Sequence, residues 1–186
     1  GELGFEIYIP YNNLEKVFDV VYAKNGKSPV KLAGYHALNS LRMEKGYLHW
    51  GHDIGVEENP FEAGVGFCVN LNKKNPFLGQ AALEEKKKSG LSKRKVNFAL
   101  SNNDLLIYHN EPIYFDGKIV GEISSGMYGF YLDKSLGMGY ISNNDSYSVE
   151  EMMSHQKFEI EVAETKYSAE GSINCFYDPG REKILV

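Results

Sequence analysis

The chain has 186 residues, 42% of them hydrophobic and 24% charged, a globular rather than a disordered balance with room for one large domain or two small ones. A net charge of -5 argues against nucleic acid or an anionic membrane as the main partner. No apolar run approaches the roughly 18 residues that a membrane span needs.

In chain order, GELG (1–4) reads as a Gly-flanked turn, and FEIYIP (5–10) alternates Phe5, Ile7 and Ile9 with Glu6, Tyr8 and Pro10. That is the period-2 pattern of a strand, with Glu6 on the face opposite the apolar residues. Leu14, Val17, Phe18 and Val21 form one helical stripe. Asn12 and Glu15 stand as a capping pair before it, and Asn25-Gly26 ends it. VKLAGY (30–35) reads as a short strand, residues 36–46 as a helix stopped by Gly46, and Val65 to Val69 as a short strand after a loop. A short helix over 80–88 leads into six Lys or Arg among residues 86–95, read as a solvated helix end and linker.

From residue 95 the pattern changes to β. KVNFAL, EPIYF, KIVGEISS, GMGYIS, KFEIEVA and TKYSAEGSI are short runs separated by turn signals, and Asp116-Gly117 suits a type I′ hairpin. The expected organisation is α+β: residues 1–85, a basic linker over 86–94, and a small antiparallel barrel or sandwich over 95–186.

No local constellation is a self-sufficient catalytic centre. His49, His52 and Asp53 in HWGHD lack a helical register for metal ligation and read as loop packing and hydrogen bonding. SSGMYG lacks the G-x-S-x-G order of a nucleophile elbow, and GMYGFYLDKSLGMG is neither a dinucleotide fingerprint nor a phosphate loop. Cys68 and Cys175, far apart and without metal-ligand spacing, read as reduced core residues of an intracellular protein. No catalytic or metal-ligating residue is assigned.

GELGFEIYIP, LAGYHALNSLRMEKGYLHWGHDI, ENPFEAGVGFCV, NPFLGQAAL, ISSGMYGFYLDKSLGMGYI and FYDPGREKILV, in this order, resemble the folate-binding aminomethyltransferase family of the glycine-cleavage T-protein. EKGYLHWGHD and LLIYHNEPIYFDGKIVGEISSGMYG resemble one branch, the C-terminal halves of sarcosine and dimethylglycine dehydrogenases. The resemblance implies that residues 1–85 complete a ferredoxin-like folate-binding domain begun upstream, and that a barrel-like domain follows. It also implies that exposed apolar surface remains unless the upstream part of the protein covers it.

It implies tetrahydrofolate as cofactor, with a small methylated amine or an aminomethyl carrier as donor. In the dehydrogenase branch, FAD bound outside these residues oxidises the N-methyl amine, and tetrahydrofolate takes up the one-carbon unit. Glu6 corresponds to the family's pterin-recognising carboxylate, which accepts the paired N–H donors of a pterin edge. Glu2 is read as a turn residue. Tyr128 is placed along the folate channel and Arg181 near the folate's acidic tail. The Arg that holds that tail in the family is replaced by Leu38, with Arg42 one turn on at the helix end. The family's catalytic aspartate lies upstream and has no counterpart here. Two other readings are a stand-alone T-protein and a non-catalytic folate-binding relative linked to iron–sulfur assembly. Against the second, EKGYLHWGHD has no Cys where that relative has K-G-C-Y. The implied compartment is the cytoplasm, or the mitochondrial matrix in a eukaryote.

Overall fold

The computed structural model describes residues 4–22, 30–102, 104–183 and 185. Six strands lie in the C-terminal half: β1 (Lys93–Leu100), β2 (Pro112–Phe115), β3 (Lys118–Gly129), β4 (Lys134–Ser142), β5 (Phe158–Val162) and β6 (Thr165–Ser172). They run in the order β1-β4-β3-β2-β5-β6, every pair antiparallel, and β6 pairs back with β1 to close a barrel. Closure removes the unpaired edges that strands this short would otherwise expose. The six runs marked by alternation are these strands, and Asp116 (φ 49°) and Gly117 (φ 78°) turn between β2 and β3 as a type I′ hairpin requires.

Alternation decides what fills the barrel. Val96, Phe98 and Leu100 of β1 point inward with Ile113, Phe115, Ile123, Ile141, Phe158 and Ile160. Phe98, Phe115 and Phe158 meet at centroid distances of 5.1–5.4 Å in tilted and edge-on contacts that aromatic rings favour. The helix α4 (Val149–His155) adds Val149 and Met152 to this core. Gly121 lets β3 come close to β4: a Cβ there would lie 1.8 Å from the carbonyl oxygen of Tyr140.

The other face of β1 is buried too, which an isolated barrel strand would not need. Lys95, Asn97 and Ala99 lie on that face and are each buried. Ala99 packs in a second cluster with Met43, Leu136 and Met138, joined by Leu48 and Phe176. Met43 belongs to α2 (Tyr35–Lys45), so this cluster seats that helix on the outside of the barrel.

The N-terminal part holds α1 (Leu14–Tyr22), α2 and α3 (Gln80–Ser89). Several local expectations are corrected. Residues 5–9 form no strand, and no strand lies before Lys93 among the described residues beyond a single bridge between Trp50 and Ile54. A strand needs a neighbour to complete its hydrogen-bond ladder, and this segment has none here. Residues 30–34 are likewise not a strand, and Val65–Val69 contains a 3-10 turn at Gly66–Cys68. Cys68 is exposed and only Cys175 is partly buried, so the two are not core residues; both are free thiols.

A 3-10 turn, Tyr11–Asn13, leads into α1 in place of an Asn12 cap. The Asn25-Gly26 stop lies outside the described residues. Gly46 (φ 67°) ends α2 as expected, its N–H reaching back to the carbonyls of Arg42 and Met43. Of the basic run, Lys86–Lys88 belong to α3 and Lys93–Lys95 to β1.

Much of the N-terminal apolar surface is open. Phe5, Tyr8, Tyr11, Leu32, Tyr35, Leu38 and Leu41 are all exposed, Phe5 at 88%. This is the exposed apolar surface expected of these residues taken alone.

Candidate functional site

The candidate site is built around α2, which has one face fixed to the barrel and the other open. Ser40 Oγ donates to the Tyr128 carbonyl at 2.7 Å and accepts from Phe130 N–H at 3.3 Å. Glu44, 2% exposed, accepts the Tyr131 and Leu132 N–H groups at 2.7 and 3.1 Å, taking up two backbone donors of the β3–β4 loop. Lys45 Nζ pairs with Asp178 Oδ2 at 2.9 Å and donates to its carbonyl at 2.6 Å, which ties the C-terminal segment to the same helix. Burial pushes the Asp178 carboxyl up, but bonds from Lys45 and the N–H groups of Lys183 and Glu182 outweigh it and hold it below the ordinary value.

Arg42 is the hub of the arrangement. Its guanidinium donates to Asn39 Oδ1 (2.7 Å), the Tyr47 carbonyl (3.2 Å), Asp53 Oδ2 (2.8 Å) and Ser125 Oγ (3.0 Å). Asp53 in turn accepts from His49 N–H at 2.8 Å and Ser124 Oγ at 2.6 Å, with its side chain fully buried. Asp53 is therefore a structural anion joining helix, loop and barrel, and its donors are protein groups. The rings of His49 and His52 stack at 5.1 Å. Arg42 is committed to Asp53 rather than presented to a ligand anion.

On its open side, α2 borders an apolar cavity of about 530 Å³ lined by Ala33, Gly34, Tyr35, Leu38, Leu41 and Tyr47, with Arg42 at its edge. That volume suits a drug-sized ligand. Leu38, the position where the resemblance removes a basic residue, lines it directly.

The three residues singled out as folate contacts sit on separate elements. Glu6 lies in the exposed segment before α1, where Tyr8 Oη donates to its Oε2 at 2.9 Å. That bond and the carboxylate's charge raise the Tyr8 hydroxyl above its ordinary pKa. Tyr128 is the penultimate residue of β3, its ring edge-on to Phe130 at 5.2 Å and its hydroxyl bonded to Asp133 Oδ1 at 2.5 Å. Arg181 lies in the C-terminal turn with its guanidinium 5.0 Å from the Phe67 ring centre, bordering a second cavity. No hydrogen bond or ion pair joins these three to one another among the described residues. The groups that sequence reasoning missed are Ser40, Glu44 and the Lys45–Asp178 pair. Their partners lie far along the chain, so no local spacing reveals them.

Residues 1–73 match the GCVT N-terminal domain and residues 93–178 the glycine cleavage T-protein C-terminal barrel domain. The chain is 36% identical over 184 residues to the 4-methylaminobutanoate oxidase (formaldehyde-forming) of Paenarthrobacter nicotinovorans, covering 99% of this chain and 22% of that protein. It is 32% identical over 185 residues to the mitochondrial sarcosine dehydrogenase of Homo sapiens, covering 99% of this chain and 20% of that one. The chain thus spans about a fifth of the length of these curated relatives. In fold it matches the glycine cleavage system aminomethyltransferase T of Bartonella henselae, with a TM-score of 0.72 at 22% identity over 88% of this chain and 43% of that one. No helix among the described residues is long and apolar enough to cross a membrane. With both halves matched in order and the closed barrel in place, the chain belongs to the glycine-cleavage T-protein aminomethyltransferase family.

Proposed function

We propose that these residues form a tetrahydrofolate-binding one-carbon-transfer module of a flavin-dependent enzyme that demethylates an N-methyl amino acid. The observation that carries this reading is the 99% coverage of the chain by two relatives whose named substrates, 4-methylaminobutanoate and sarcosine, are both N-methylamino acids. The flavin belongs to a part of the protein beyond these residues. That part also covers the open apolar side of α2 and the segment before α1. In a eukaryote the matrix is the proposed compartment, following the mitochondrial relative.

The residues present fit a folate. Glu6 is an exposed carboxylate with one oxygen bonded to Tyr8 and the other without a partner among the described residues, so it has acceptor capacity for a paired N–H edge. Bound folate supplies a nucleophilic nitrogen that takes up the one-carbon unit. Glu6 fixes its pterin orientation, and Tyr128, its backbone carbonyl bonded by Ser40 and its hydroxyl by Asp133, offers a ring face for stacking. The apolar wall from Ala33 to Leu41 excludes water from the bound ligand, and positioning of this kind accounts for much of the rate gain in transfer between two held reactants.

The test is calorimetric titration with 5-formyltetrahydrofolate, a stable reduced folate, for the parent and Glu6→Ala. Loss of a charge-assisted contact weakens binding by about 1.5–3 kcal/mol, roughly 10- to 150-fold. Binding of equal strength in the two proteins refutes the role of Glu6.

A further inference from the structure

His49 and His52 stand in a closed turn just beyond α2. The His49 carbonyl accepts from His52 N–H at 3.1 Å and from Asp53 N–H at 2.9 Å, and Gly51 N–H donates to the Ile54 carbonyl at 2.9 Å. Gly51 (φ 86°) takes the left-handed conformation that the turn requires. The turn is also clamped to the barrel. Besides the bonds to the Asp53 carboxylate, the Asp53 carbonyl accepts from Tyr140 Oη of β4 at 2.7 Å. The backbone that carries both histidines is thereby fixed at one end by its most buried residue.

Both histidines are exposed, and their rings stack with centres 5.1 Å apart and planes 28° apart. Neither imidazole makes a hydrogen bond or ion pair with another side chain or with the backbone among the described residues, so the acceptor nitrogen of each is open. The separation of the rings is the deciding quantity. Two imidazoles that share one tetrahedral zinc, each with Zn–N of about 2.0–2.1 Å, have ring centres about 5 Å apart. The rings of His49 and His52 already stand at that separation, so a shared ion asks for rotation of the rings rather than movement of the backbone. No third His, Cys, Asp or Glu completes a cluster with them among the described residues. Asp53, the adjacent carboxylate, commits its oxygens to Arg42, Ser124 and the His49 N–H.

We propose that His49 and His52 chelate a divalent transition metal of the zinc and nickel type, one nitrogen from each ring, with water in the remaining positions. Imidazole nitrogen suits these ions, whereas magnesium and calcium take oxygen ligands. The H-x-x-H spacing lacks the register of a helical metal site, and the closed turn supplies the convergence instead. Once one ring has bound, the second binds within the same molecule, and a turn already closed leaves little to be ordered. The site stands on these residues alone and takes nothing from the folate reading.

The test is calorimetry on the untagged 186-residue chain at neutral pH, without folate, with zinc, nickel and magnesium chlorides as probes, and a zinc titration followed on the histidine ring protons by NMR. Zinc and nickel bind, magnesium does not, and zinc shifts the ring resonances of both His49 and His52. His49→Gln and His52→Gln each weaken zinc binding roughly tenfold or more, since one imidazole alone forms no chelate. Cys68→Ser and His109→Gln, at exposed positions elsewhere, leave it unchanged. Both histidine side chains are exposed, so their variants keep the fold, and an unchanged Tm verifies this. The proposal is overturned by the absence of zinc binding at millimolar concentration, or by full affinity in either histidine variant. Loss of binding in Cys68→Ser, or magnesium binding as tightly as zinc, overturns it equally.

Discussion

Replacing Asp53 by Ala removes the anion at which helix, loop and barrel meet. Three donors lose their acceptor: Arg42 Nη1 at 2.8 Å, His49 N–H at 2.8 Å and Ser124 Oγ at 2.6 Å. The Asp53 side chain is fully buried and that of Arg42 only 16% exposed, so the orphaned guanidinium is poorly solvated. Arg42 keeps its bonds to Asn39, Tyr47 and Ser125, which soften the loss. Breaking a buried pair by deleting one partner costs about 3–5 kcal/mol, and at this chain length each kcal/mol shifts Tm by roughly 2–4 °C. Urea melts followed by Trp50 fluorescence and by near-UV circular dichroism give the difference, and a double-mutant cycle with Arg42→Ala isolates the pair. The exposed pair Lys157–Asp116, at 3.2 Å with both side chains about half exposed, is the control and is worth under about 1 kcal/mol. A cost below about 1 kcal/mol for Asp53→Ala, or strict additivity with Arg42→Ala, refutes the hub.

Two further outcomes follow from the same contacts. Asp178 has a depressed carboxyl pKa in the folded chain, so its stabilising effect is present above the unfolded carboxylate value of about 3.9 and is lost as pH falls through the folded value. The melting temperature of Asp178→Asn therefore lies below that of the parent at neutral pH and converges with it in acid; a gap of constant size from neutral pH down to pH ~2 contradicts this. Phe158→Ala, which empties the centre of the three-ring cluster, costs about 3–5 kcal/mol in a denaturant melt, and a value near 1 kcal/mol shows a core that collapses around the gap.

The sequence is most legible where structure depends on neighbours close in the chain. The barrel strands are readable because alternation and turn residues report directly on a half-buried ladder, and Gly46 is readable because a helix stop needs one residue. The capping box of α4 is equally local: Ser148 Oγ and the Glu151 carboxylate satisfy each other's backbone N–H groups beside buried Val149 and Met152. Residues 5–9 mislead for the opposite reason, because alternation marks a strand but cannot supply its partner. At the candidate site, Asp53 and Arg42 were visible as types and not as a pair. The bonds of Asn97 Nδ2 reach carbonyls about 75 residues away and leave no local trace.

The seating of α2 also sets an order of events during synthesis. The helix emerges before the groups that receive it: the β3–β4 loop that Glu44 binds, then Asp178, which pairs with Lys45 across more than 130 residues. The barrel cannot close until β6 reaches β1, a pairing across more than one-third of the sequence, and closures of such range are slow. Until the barrel is made, the barrel-facing side of the helix has nothing to dock against, and its apolar residues face solvent or other nascent chains. Aggregation of C-terminally truncated chains, with Met43 and its neighbours uncovered, is the cost of that order.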